Sequence, residues 1–131
     1  MAARFRSQRY GKGARIVEQG APGGGLYLIL VGEVEVLFEE GAREVRLGLL
    51  GEGSYFGEMS LLRNGVAAAT VRALRTTEVV QLPARDFYDV LAAHPVLWED
   101  LRAEAARREM MNFAILSGEA RQSSDGKVYL V

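Results

Sequence analysis

Hydrophobic and polar positions alternate through much of the first two thirds of the chain. Between Arg15 and about Leu82, short apolar runs are separated by glycine-rich turns, and the alternation is strict over 34–38 and 45–49. A period of two residues is typical of strands that bury one face. The segment EEGAR between two such runs predicts a hairpin turn in which Gly41 supplies a positive φ. Many short strands at close spacing predict a small antiparallel roll or barrel.

The pattern changes after Pro83, where apolar residues recur at helical spacing. Pro95 ends a first helix and suits the first turn of a second, longer one that is rich in strong helix formers. We therefore predict one domain over residues 1–117 of the mainly β with α class, an antiparallel, jelly-roll-like β-roll at about 13–83 followed by two C-terminal helices at about 84–116. A polar tail at 118–131 is expected to be loosely held.

Composition narrows the classes of function. The chain has 131 residues, of which 49% are hydrophobic and 25% charged, and a formal net charge of -1. This balance gives no electrostatic signal for a nucleic-acid partner. No apolar run approaches the roughly 20 residues of a membrane span, so we expect no membrane partner. The absence of cysteine excludes disulfides and fits a reducing compartment, which predicts a cytoplasmic protein.

A single histidine, His94, limits the chemistry further. It stands directly before Pro95, where it is interpreted as a helix-boundary residue. One histidine and no cysteine provide neither a nucleophile–base pair nor a metal cluster. We therefore expect no enzyme, no catalytic residues, no metal and no cofactor.

The segment SYFGEMSLLRNGVAAATVRA, residues 54–73, carries the most specific signal. Gly57 follows a strand-like segment and allows a sharp turn into one helical turn, whose first amides are free to bind an anion. Glu58 stands at the same place. A carboxylate only accepts hydrogen bonds, so it suits a sugar hydroxyl and repels a phosphate. The alternative interpretation is that Glu58 simply caps the helix start.

Two motifs give the chain a resemblance to a known family. IVEQGAPGGGLYLILVG, residues 16–32, and FGEMSLL, residues 56–62, resemble the cyclic nucleotide-binding domains of catabolite activator proteins, protein kinase A regulatory subunits and gated ion channels. The resemblance covers roughly Phe5 to Leu116. It implies a regulatory domain that senses a cyclic nucleotide, cAMP being the favoured ligand and cGMP the less favoured one.

The resemblance also implies which residues form the ligand site. FGEMSLL opens the family's phosphate-binding cassette, in which the glutamate, here Glu58, binds the ribose 2′-hydroxyl. The cassette arginine that neutralises the phosphate is replaced by Ala67, and Ala68 stands where cGMP-selective members often have threonine. Loss of such a cation costs about 2–5 kcal/mol, or on the order of 30-fold to several thousand-fold in affinity. The cassette would contribute Phe56, Gly57, Glu58, Met59, Ser60, Ala67 and Ala68.

Three other arginines are candidates to replace the missing cation. Arg63 lies between the short helix and the following loop, from which it could turn inward. Alternation places Arg72 on the face opposite Ala67, and Arg75 is about 26 Å further along an extended strand. The alternative for all three is solvated surface charge.

The remainder of the implied pocket comes from two strands and the long helix. Val36 and Leu47 would line the base side. Asn112 could hydrogen-bond an edge of the base, and Phe113 could stack on it. Alternatively, the segment MMNFAIL is an apolar helix face that packs on the roll or on a second subunit.

Two functions therefore remain open. The chain is either a cyclic-nucleotide sensor with an unusual cassette or a degenerate domain that serves as a docking or dimerisation module. The second would act through an effector protein, or a homodimer formed by the long helix around Leu97, Leu101, Ala105 and Met111. No DNA-binding or other effector segment is visible, so the chain is interpreted as a module cut from a longer protein or as a stand-alone regulator.

Overall fold

The computed structural model describes residues 5–62 and 65–116, which form eight strands and three helices within that part of the chain. In chain order they are β1 (Arg6–Tyr10), β2 (Arg15–Val17), β3 (Leu26–Val31), β4 (Glu33–Glu40), β5 (Arg43–Gly51), β6 (Tyr55–Phe56), α1 (Glu58–Leu62), β7 (Thr70–Ala73), β8 (Thr77–Leu82), α2 (Ala84–Ala93) and α3 (Pro95–Leu116). The predicted tail lies outside the described residues.

The strands form two antiparallel sheets that enclose one apolar core. One sheet has the order β1-β8-β3-β6 and the other β2-β7-β4-β5. The core cluster takes residues from both, among them Ile29, Phe56 and Val79 from the first and Val36 and Val71 from the second. The predicted fold class, an antiparallel roll followed by two C-terminal helices, is thus confirmed.

The longest pairing is the hairpin of β4 and β5, which joins Glu40 to Arg43 at its tip. Gly41 occupies the turn with φ 62°, as the sequence pattern predicted. A bulge between Val36 and Leu37 shifts the register. Val36 pairs with Gly48 and Leu37 with Arg46, so Leu47 of β5 is the extra residue of the bulge.

A smaller cluster holds the helices on the roll. Phe87 and Leu91 of α2 pack with Leu101 of α3 and Leu61 of α1. Leu101, which the docking hypothesis assigns to a dimer contact of the long helix, therefore packs within its own domain. No helix in residues 5–62 or 65–116 is long and apolar enough to cross a membrane.

Candidate functional site

The turn that leads into α1 lies close to a glycine-rich loop, residues 23–25. Gly57 has φ 100°, and a Cβ built there would lie 2.3 Å from the carbonyl oxygen of Gly25. A Cβ on Gly23 would lie 2.2 Å from Oγ of Ser60. Both distances are far below a van der Waals contact. Glycine at positions 23 and 57 therefore allows the loop and the cassette to approach each other this closely.

Phe56 fixes the start of the cassette in the core. Its ring is fully buried and stacks on Tyr27 of the neighbouring strand, with centroids 4.9 Å apart and planes 8° apart. Met59 and Ser60 are also buried, and the Ser60 hydroxyl donates to the Gly57 carbonyl at 3.0 Å. The structure thus places these three predicted site residues in the framework of the cassette.

Glu58 is the charged group of the cassette, and it is completely buried. Its Oε1 accepts a hydrogen bond from Nη1 of Arg108 at 2.6 Å, across from α1 to α3. The Arg108 guanidinium also lies 4.5 Å from the ring centroid of Tyr55 and donates from Nε to Glu104 at 2.7 Å. One cation from the long helix thus reaches the acid of the cassette.

Burial has the largest effect on the pKa of Glu58. Removal from water raises the pKa of Glu58 from 4.5 to about 7, although the charge and hydrogen bond of Arg108 act to lower it. The second oxygen, Oε2, is buried and has no hydrogen-bond partner within the structure. The carboxyl group is therefore paired on one side and can accept one further hydrogen bond.

The position of the missing arginine is also buried. Ala67 is 2% exposed, and its amide and carbonyl bond to Ala21 and Gly20, each at 2.9 Å. These bonds tie the second half of the cassette to the loop that precedes the glycine cluster. Ala68, the next residue, is exposed.

The replacement arginines lie elsewhere. Arg72 donates to Glu35 at 2.9 Å and to Glu44 at 3.4 Å, which places it in a network of charges on the second sheet in which Glu35 is buried. Arg75 is exposed. Arg63 lies outside the described residues.

The pocket walls implied by the resemblance are spread over the roll and α3. Val36 and Leu47 are buried in the core of the roll, on paired strands. Asn112 is half-buried on α3, whereas Phe113 is 70% exposed. The part that these residues play in ligand binding stays a prediction.

Arg108 is the residue at this site that the sequence reasoning did not identify. It lies one helical turn before Asn112 and therefore on the same face of α3. That spacing was the available signal, because a residue one turn before Asn112 lies on the same face of the helix as that predicted pocket residue. Within the described residues, no group of three or more histidine, cysteine, aspartate or glutamate side chains could hold a metal ion.

Comparison with known proteins gives one consistent answer. The family model described as "Cyclic nucleotide-binding domain" matches residues 7–94. The chain is 37% identical over 105 residues to a cyclic AMP receptor protein of Thermus thermophilus, a match that covers 79% of this chain and 49% of that protein. It is 40% identical over 91 residues to a cAMP-dependent protein kinase type II regulatory subunit of Drosophila melanogaster, covering 70% of this chain and 23% of that one.

A solved structure agrees with these sequence matches. The crystal structure of Thermus thermophilus catabolite activator protein has a TM-score of 0.76 and 35% identity, and the match covers 86% of this chain and 54% of that one. The chain thus spans about half the length of its Thermus relative and a quarter of the kinase subunit.

Proposed function

The chain belongs to the cyclic nucleotide-binding domain family, and we propose that it is a non-catalytic sensor domain whose pocket takes a cyclic nucleotide with reduced affinity. cAMP is the proposed ligand and cGMP the less favoured one, because Ala68 lacks the hydroxyl that the family resemblance associates with cGMP. We propose the cytoplasm as its compartment, in line with the absence of cysteine.

The observation that carries this proposal is the half-satisfied carboxyl group of Glu58. Its Oε2 is buried without a hydrogen-bond donor, and such an oxygen costs about 1–3 kcal/mol. A sugar hydroxyl is a neutral donor of the right kind to satisfy it. Arg108 leaves this oxygen available, because it engages Oε1.

The weakness of the proposed binding follows from Ala67. A cyclic nucleotide carries one negative charge, and in this chain that charge would approach Glu58 without a cassette arginine. Arg108 contributes a positive charge next to Glu58, so it offsets part of the repulsion. It is already committed to two carboxylates, Glu58 and Glu104, which limits what it can offer a phosphate.

Restoring the cation tests the proposal. We expect the parent chain to bind cAMP only near millimolar concentrations, and Ala67→Arg to bind it at least about 30-fold more tightly, as a buried charge pair predicts. Val66→Arg is the matched control, since Val66 is adjacent but 40% exposed. Calorimetry with cAMP and cGMP gives the affinities.

Two results of this calorimetry would count against the proposal. Equal affinities in Ala67→Arg and Val66→Arg would mean that the added charge acts only at long range. If neither the parent nor Ala67→Arg binds cAMP or cGMP at millimolar concentration, while both remain folded, the nucleotide function is rejected.

A second candidate is a docking or dimerisation module that works without nucleotide, through an effector protein or a second copy. It is favoured by α3, on which Val96, Met110 and Phe113 are each at least 70% exposed. Apolar side chains that exposed on one helix are typical of a surface that another protein covers.

A further inference from the structure

The short cassette helix α1 and the long helix α3 border a hollow of about 260 Å³. Met59, which is buried, and Leu62 form its wall on the α1 side. A dry cavity of about 150 Å³ is enough to hold benzene. The hollow between the two helices therefore has room for a small molecule with one aromatic ring.

The side chains of α3 that line the hollow lie three or four positions apart, so they share one face of the helix. They are Trp98, Arg102, Ala105, Ala106 and Glu109. The two alanines in the middle of this face carry only a Cβ atom. The space opposite α1 is consequently left open there, between an aromatic ring and a cation at one end and an acid at the other.

Arg102 supplies the positive charge of the hollow. The other two arginines of α3, Arg107 and Arg108, both form salt bridges with Glu104. Arg102 forms no salt bridge within residues 5–62 and 65–116, and its guanidinium lies over the ring of Trp98, 5.8 Å from the centroid. A guanidinium stacked on an aromatic face keeps N–H donors at its edge, and their planar arrangement suits a carboxylate.

We propose that the hollow between α1 and α3 binds a small aromatic monocarboxylate. The ring of the ligand packs against Trp98 and the thioether of Met59, both of which favour aromatic contacts. The carboxylate pairs with Arg102, which lies at the same end of the hollow as Trp98.

Glu109 determines the charge and the direction of the ligand. It is seven residues beyond Arg102, or about 10 Å along the helix axis, so it places a negative charge at the far end. Repulsion from this acid turns the carboxylate of the ligand towards Arg102. The same repulsion disfavours ligands with several negative charges, such as phosphate esters.

This site is separate from the nucleotide pocket of the proposed function. Neither Glu58 nor Ala67 is among the described residues that line the hollow, and the inference does not rest on nucleotide binding. Failure of cAMP binding would leave the carboxylate site intact, and failure of carboxylate binding would leave the nucleotide test unaffected. Since Met59 and Leu62 belong to α1, the ligand would connect the cassette helix to α3.

Trp98 makes binding directly observable, because it is the only tryptophan of the chain. We expect 3-phenylpropionate, followed by Trp98 fluorescence and independently by equilibrium dialysis, to bind at one site per chain with a Kd on the order of 0.1–1 mM. The neutral 3-phenylpropionamide has the same ring and length, and we expect it to bind at least about 10-fold more weakly. Acetate has the charge without the ring and is expected not to bind detectably at the same concentrations.

Two pairs of variants locate the site, with equilibrium dialysis as the readout. Arg102→Met is expected to weaken binding of 3-phenylpropionate at least about 10-fold, whereas Arg107→Met is expected to leave it unchanged. Ala106→Leu fills the hollow and is expected to abolish binding. Ala103→Leu adds the same side chain at an exposed position of α3 that does not line the hollow, so we expect normal binding. Leucine is a strong helix former, and circular dichroism checks that each variant folds.

Three results would overturn the inference. The first is the absence of saturable binding of 3-phenylpropionate to the folded parent chain at about 10 mM, roughly ten times the weakest expected Kd. Equal affinities for the acid and its amide would exclude a carboxylate as the recognised group. Binding that persists in folded Ala106→Leu would place the ligand elsewhere in the chain, for example in the nucleotide pocket.

Discussion

Replacing Arg108 by methionine tests whether the buried acid of the cassette is controlled by this cation. Methionine keeps much of the side-chain length and removes the charge. In the parent, burial raises the pKa of Glu58 from 4.5 to about 7. Without Arg108, the carboxyl group loses the interactions that lower its pKa, so the pKa must rise further.

The sign of the effect follows from this shift. A carboxyl group with a raised pKa in the folded state contributes stability that is complete below pH 4.5 and is lost as the pH rises to about 7. For a shift from 4.5 to about 7, the loss is about 3 kcal/mol in the parent. Above pH 7 the parent loses no more stability from Glu58, whereas Arg108→Met, in which the pKa of Glu58 is raised further, continues to lose it.

The expected difference between parent and variant therefore depends on pH. At pH 6 it is about 1 kcal/mol, from the lost contact with the Tyr55 ring and the lost hydrogen bonds. The difference grows as the pH rises from 7 to 9, because only the variant is still losing stability in that range. At low pH the loss of stability in Arg108→Met is limited, because the buried carboxyl group of Glu58 can take up a proton and become neutral.

Urea unfolding at pH 6, 7, 8 and 9 measures these differences, with the single tryptophan, Trp98, as the fluorescent probe. Arg107→Met is the matched control, since Arg107 neighbours Arg108 in sequence but its side chain is 63% exposed and forms a salt bridge with Glu104. It is expected to change stability by less than about 0.5 kcal/mol at every pH. A difference between parent and Arg108→Met that stays constant from pH 6 to pH 9 would refute the reasoning.

Two further predictions concern the same region. Gly57→Ala is expected to lower the free energy of unfolding by about 3 kcal/mol or more, because the new Cβ meets the Gly25 carbonyl and φ is positive. Gly53→Ala shares the positive φ but has open space, so about 1 kcal/mol is expected in urea unfolding; equal losses would contradict the close-approach explanation. Glu58→Gln should remove the decline in stability between pH 4.5 and 7, and an unchanged decline would assign it to another group.

The roll could be predicted because its signals are local. Alternation over 34–38 and 45–49 depends only on one face being buried, and the β4–β5 turn needs a positive φ that Gly41 supplies. The boundary between the two helices at Pro95 could be predicted for the same reason, since the effect of proline is confined to neighbouring residues.

Strand β1 was not predicted, for a physical reason. Its sequence, RSQRY, has no apolar alternation, and it lies at the edge of its sheet with most side chains exposed or half-buried. It is a strand because β8 provides hydrogen-bonding partners from Arg6 to Tyr10. Such a strand depends on tertiary pairing and leaves little hydrophobic signal.

Only the part of the site whose residues are adjacent in the sequence could be predicted. Residues 56–60 could be grouped because they are adjacent, and Gly57 fits the expected sharp turn. Arg108 is 50 residues away from Glu58, and their contact exists only because α3 docks across the cassette. The burial that raises the Glu58 pKa has the same tertiary origin.

The short helix α1 is hydrogen-bonded at both ends, by one side chain from each of the two C-terminal helices. Tyr88 of α2 donates its hydroxyl to the Leu61 carbonyl at 2.6 Å, and Arg108 of α3 holds Glu58 at the other end. A shift of α1 would break these two contacts unless α2 and α3 moved with it. A displacement of the cassette would therefore be felt first by the two C-terminal helices.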